Sequence, residues 1–141
     1  MILPVIAVSG PLSLGVETGV RLALFTPDMV YLRSLTGPTL TPIAWALAGV
    51  TALGGALAVP VQRAWYRRRL ARQGAPADEG ARARAAFEAL YVATSVPQVP
   101  ALVATFFFTA GSSLTPVAVA LGVSALAVLA QGLVKLDVEV R

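Results

Sequence analysis

The sequence predicts an all-α, polytopic membrane protein: a bundle of four transmembrane helices with one short interfacial helix. Three observations carry this expectation. Hydrophobic residues make up 57% of the 141-residue chain and charged residues only 13%, about half the charge of a soluble domain. Four apolar stretches rich in Ala, Leu and Val are each long enough to cross a hydrocarbon layer of about 30 Å at 1.5 Å per residue. Between the second and third stand seven arginines, Arg63, Arg67, Arg68, Arg69, Arg72, Arg82 and Arg84, the pattern of a cytoplasmic loop that pins orientation.

The first span covers about 2–25, ILPVIAVSGPLSLGVETGVRLALF, interrupted by Gly10-Pro11 and carrying Glu17 and Arg21. Its start, MILPVIAVS, lacks a basic region ahead of the apolar run, so no cleaved leader is expected. Thr26-Pro27-Asp28 then offers an N-cap, a first-turn proline and a first-turn acid, and Gly37 a stop. Residues 27–36 therefore read as a short helix lying in the membrane interface, with Met29, Val30, Tyr31, Leu32 and Leu35 against Asp28 and Arg33.

Thr41-Pro42 repeats the cap chemistry and opens the second span, 42–60, which Pro60 bends or ends. Beyond it VQRAWYRRRLARQ continues as a helical extension, with Trp65 and Tyr66 placed like interfacial aromatics. The basic loop occupies 61–84. A helix then climbs from near Asp78 into the third span, 85–110, past Glu88, which is expected to pair with Arg84 one turn back. Pro97 and Pro100 lie inside this span. Each removes a helical hydrogen bond, so the third helix is expected to break or bend sharply between Ser95 and Pro100. A tight turn at 111–114 leads to Thr115-Pro116 and the fourth span, 115–134. LTPIAWALAGVTAL (40–53) aligns with LTPVAVALGVSAL (114–126) across one gap, a candidate internal repeat.

The arginine asymmetry predicts the orientation. The 61–84 loop and the C-terminus face the cytoplasm, and an even number of spans returns the N-terminus to the same side. The Arg- and Ala-rich composition fits a bacterial plasma (inner) membrane.

The chain has no Cys and no His, which excludes disulfides, thiolate chemistry, histidine-ligated metal or haem and imidazole acid–base catalysis within it. No cofactor and no metal is expected. Only carboxylates and arginines remain for catalysis, and enzymatic function is the less supported class. The net charge of +4 is explained by topology, and no nucleic-acid partner is expected.

The candidate ligand-binding residues are Gln98, Thr94 and Ser95 at the expected break, Ser9 and Ser13 at the interruption of the first span, and Glu17. Paired interruptions of membrane helices point to a transporter site, and an intramembrane carboxylate is a functional candidate by default. Against this, Glu17 and Arg21 are spaced to neutralise each other, and hydroxyls and amides also serve as interhelical hydrogen bonds. Two function classes follow. One is a small transporter or channel, working as an oligomer with a polar site at the broken third helix. The other is a non-catalytic accessory or assembly subunit of a larger membrane complex. The latter would use small residues such as Ala48, Ala52, Ala56, Ala118 and Gly122 to dock on partner helices. The expected partners are the lipid bilayer itself, further copies or partner membrane subunits, and anionic lipid headgroups at the arginine cluster.

Overall fold

A computed structural model describes residues 3–72 and 78–134 and, over 3–11, the course of the backbone alone. The described residues form four α-helices: α1 (Leu3–Ala23), α2 (Pro27–Ala71), α3 (Glu79–Ala110) and α4 (Leu114–Leu133). Three of them, α2, α3 and α4, are long and apolar enough to cross a membrane.

The caps explain where the helices begin. Thr26 Oγ1 accepts from the Met29 amide at 3.4 Å, with Pro27 and Asp28 in the first turn of α2. Asp78 caps α3 by accepting from the Ala81 amide at 2.6 Å. The α3–α4 turn expected at 111–114 is present at 111–113. The Gly111 amide donates to Phe108 O and the Ser112 amide to Phe107 O. This is a Schellman closure, with Gly111 at φ 133°, where a side chain would be strained.

Two expectations are corrected. Residues 27–36 are not a separate interfacial helix; they are the first turns of a single 45-residue α2 that passes through Pro38, Pro42 and Pro60. Gly37 does not terminate it. Instead Gly37 lets the backbone approach the α3–α4 turn, since a Cβ there would stand 3.0 Å from the Gly111 carbonyl oxygen. Thr36 Oγ1 donates to Ala110 O at 2.6 Å, and Thr41 Oγ1 accepts from the Ser113 amide at 3.1 Å. These long-range bonds hold α2 helical where local signals would stop it. The second correction concerns the break expected in α3: the helix is continuous through Pro97 and Pro100.

The Thr41–Ser113 contact sets a common level for three helices. About 20 residues span the hydrocarbon layer. Counting from that level leads to Val61 on α2, Leu90 on α3 and Leu133 on α4, and the nearest charges beyond are Arg63, Glu88 and Lys135. Contacts along the way agree with this register: Gly54 faces Val96, and Gly55 faces Ala127. At about 1.5 Å per residue α2 is about 68 Å long and α3 about 48 Å. The last turns of α2 and the first of α3 project past the Val61–Leu90 level as a helical hairpin with its own small core of Tyr66, Ala85 and Ala89, while the first turns of α2, from Pro27, extend past the Thr41–Ser113 level at the other end.

The main core is built from small residues, Ala48, Ala101, Ala104 and Ala120, closed at the turn end by Phe108 and Val117. Alanine interfaces let helix axes come close, which is how apolar helices associate in a medium as apolar as themselves. Helix α2 packs chiefly on α3, both pack on α4, and α1 lies against α4 and, less extensively, α3.

Candidate functional site

Two of the three residues expected to form a site on α3 bond to their own helix. Thr94 is buried and donates its hydroxyl to Tyr91 O at 2.9 Å; Ser95 is exposed and donates to Val92 O at 2.6 Å. Pro97 is fully buried. The carbonyl that Pro100 leaves without its helical donor is that of Val96. It lies against α2 at Gly54, where a Cβ would be 3.1 Å from the oxygen and 3.3 Å from Val96 Cγ1. The α2–α3 seam is thus closed at the proline pair, with backbone against backbone. Gln98 is half-buried and, among the described residues, makes no side-chain hydrogen bond.

The other expected residues are elsewhere. Ser13 is exposed on α1, and the side chain of Ser9 lies outside the described residues. Glu17 pairs with Arg21, as its spacing predicts, and Arg21 also donates to Thr109 Oγ1 at 2.6 Å and stands 5.1 Å from the Phe106 ring centroid. Thr109 is about 16 Å along α3 from Gln98. The structure therefore brings Thr94, Ser95 and Gln98 together on successive turns and holds Glu17 apart from them.

Three constellations were not anticipated. The first is Arg33. Its guanidinium packs on both Phe25 and Phe108, 4.0 and 4.5 Å from centroids that are themselves 5.7 Å apart, and donates to the carbonyls of Phe108, Thr109 and Ser112. A cation here meets the negative end of α3. Arg21 and Arg33, the basic residues at the turn end, are thus both engaged within the bundle.

The second is a set of buried polar side chains: Gln62 of α2 meets α4 at Gln131 at the arginine end, and Ser124 of α4 lies about two turns nearer the α3–α4 turn. Gln62, Ser124 and Gln131 are 2%, 0% and 1% exposed. Gln62 Nε2 donates to the Gln131 carbonyl at 3.4 Å, while Gln62 Oε1, Ser124 Oγ and both amide atoms of Gln131 have no partner among the described residues. Ser124 and Gln131 are seven apart, on one helix face. That spacing was the signal available in the sequence.

The third is the outer surface of the hairpin. Trp65, Arg68, Arg69 and Arg72 line a shallow concavity of about 60 Å³. Their spacing, i, i+3, i+4 and i+7, puts them on one face of α2. Glu88 does not pair with Arg84; it reaches across to Arg69 on α2. The hydrogen bond from Arg69, reinforced by its charge, holds the Glu88 carboxyl below the usual carboxylate range against the opposing effect of desolvation. Among the described residues there is no cluster of acidic, His or Cys side chains able to hold a metal ion.

No family model matches the chain, and no curated protein or solved structure matches it.

Proposed function

We propose that this protein is a non-catalytic subunit of a larger membrane assembly. In this reading it is a four-span bundle in the plasma membrane, with the arginine hairpin and both termini cytoplasmic, and it works by presenting helix faces to other membrane helices. The observation that carries the reading is how the chain uses its glycines. Gly37, Gly54 and Gly55 are in tight contact inside the bundle, whereas a Cβ at Gly15, Gly19, Gly49 or Gly122 would meet nothing within 4 Å. A helix-interior glycine costs about 1 kcal/mol relative to alanine. Internal packing does not repay that cost at these four positions, and a neighbouring helix would. The close Gly54–Val96 contact points the same way, because it packs α2 against α3 at the proline pair instead of opening a cleft between them there. The test is purification in mild detergent. An assembly well above the 14.6 kDa of one chain, with stoichiometric membrane partners, supports the reading; a lone chain refutes it.

A transporter or channel working as an oligomer is the second reading. The buried Gln62–Gln131 contact favours it, since polar atoms buried there without partners among the described residues are costly unless used. Its site would then lie between α2 and α4 at the arginine end, away from Gln98.

A further inference from the structure

We propose that the concave face formed by Trp65, Arg68, Arg69 and Arg72 is a binding site for the phosphate of an anionic phospholipid from the membrane that holds the protein. The argument begins with depth. Taking the Thr41–Ser113 level as one edge of a hydrocarbon span of about 20 residues puts the other edge at Val61, with Trp65 about 6 Å past it, in the headgroup layer where amphipathic aromatics collect. Arg68, Arg69 and Arg72 are one to two turns further out. Side chains on a helix lean toward its N-terminus, and the N-terminus of α2 is on the membrane side of this face. The Cα–Cβ bonds of the three arginines therefore tilt toward the headgroups.

Charge selects the ligand. Glu88 occupies Arg69, so the pair is neutral and its carboxylate repels anions from that flank. Arg68 and Arg72, one helical turn apart, make no side-chain hydrogen bond to any described residue, and together they give the face a net charge of two. Guanidinium groups present planar donor forks suited to phosphate oxygens. The concavity of about 60 Å³ takes a phosphate-sized group and leaves no room for a folded peptide segment. Arg63, Arg67, Arg82 and Arg84 contribute to the general field of the hairpin but do not line this face, so a local site and a diffuse attraction predict different mutants.

The experiment uses the full-length protein in detergent and native mass spectrometry to count retained phosphatidylglycerol against phosphatidylcholine. It compares Arg68→Gln/Arg72→Gln with Arg82→Gln/Arg84→Gln, which removes equal charge elsewhere on the hairpin. Both pairs are exposed, and unchanged thermal melts confirm that both variants fold. The expected result is about a thirtyfold weakening of phosphatidylglycerol binding in the first variant and less than a twofold change in the second. Equal weakening in both would reduce the site to diffuse attraction and overturn the proposal. No weakening in the first would also overturn it. A third arm titrates inorganic phosphate alone. If millimolar phosphate displaces the lipid and raises the melting temperature as much as the lipid does, the site serves a free anion and the assignment to a membrane lipid fails.

Discussion

Arg33 holds Phe108 twice: its guanidinium stands 4.5 Å from the centroid of the ring and donates a hydrogen bond to the same residue's carbonyl. One side chain from the first turns of α2 thereby ties together the α1–α2 connection, through Phe25, and the end of α3. Replacing it should loosen the whole turn end.

Arg33→Ala is expected to destabilise the protein by about 2–3 kcal/mol, from the lost helix-end charge, ring stacking and charge-assisted hydrogen bonds. Arg33→Lys should recover only part of this, because an ammonium keeps the charge but not the planar fork. Thermal unfolding of both variants in one detergent decides the matter. Equal stability of the Arg33→Lys variant and wild type would show that charge alone is at work.

Gly54→Ala should destabilise the α2–α3 seam by about 1–3 kcal/mol, since the new methyl meets a backbone carbonyl that is held in place by both helices. Gly122→Ala adds the same methyl where nothing lies within 4 Å. It should leave the isolated chain unchanged or up to about 1 kcal/mol more stable. Melting curves of the two variants side by side test the contrast; matching losses would mean that the seam is not the close contact described.

How much of this was legible beforehand depends on which partner a residue uses. The apolar spans, the Gly111 turn and the Glu17–Arg21 pair follow from composition or from neighbours within one turn. The continuity of α2 does not, because Thr36, Gly37 and Thr41 are held by the α3–α4 turn more than 70 residues away, and tertiary contacts override local stop signals. Glu88 went to Arg69 for a related reason. Arg84 precedes Glu88, the weaker order for a helical pair, and the hairpin supplies a better partner. Of Ala48, Ala52 and Ala56 only Ala48 is buried, since four-residue spacing drifts around a helix of 3.6 residues per turn. The buried face instead follows Ala48, Thr51, Gly54, Ala58 and Gln62.

Gln131→Leu should raise stability by about 1–2 kcal/mol, because both of its amide atoms are buried without partners and the Gln62 bond is made to the backbone carbonyl. Gln98→Leu should change stability by less than about 0.5 kcal/mol, since the Gln98 side chain makes no hydrogen bond to any described residue. Denaturation of purified variants checks both. A large loss of stability for Gln131→Leu would reveal that its amide is engaged, and would move weight to a polar path between α2 and α4.

The absence of cysteine makes topology directly measurable. Single cysteines at positions 35, 75 and 139 can be labelled in intact cells with an impermeant thiol reagent. Position 35 should react from outside, and positions 75 and 139 only after the membrane is opened. Labelling of 75 in intact cells would invert the orientation and detach the arginine face from the cytoplasmic headgroups.

The most direct test of the central claim is the native size of the protein in mild detergent when its outward glycines are filled. Gly49→Ile and Gly122→Ile place bulk at exposed positions where a Cβ meets nothing within 4 Å, so the added side chains face away from the chain's own helices. If the protein works by docking on other membrane helices, these variants should melt close to wild type while their assembly dissociates toward the single chain. An assembly of unchanged size in both variants, or a wild-type protein already alone, would contradict that claim.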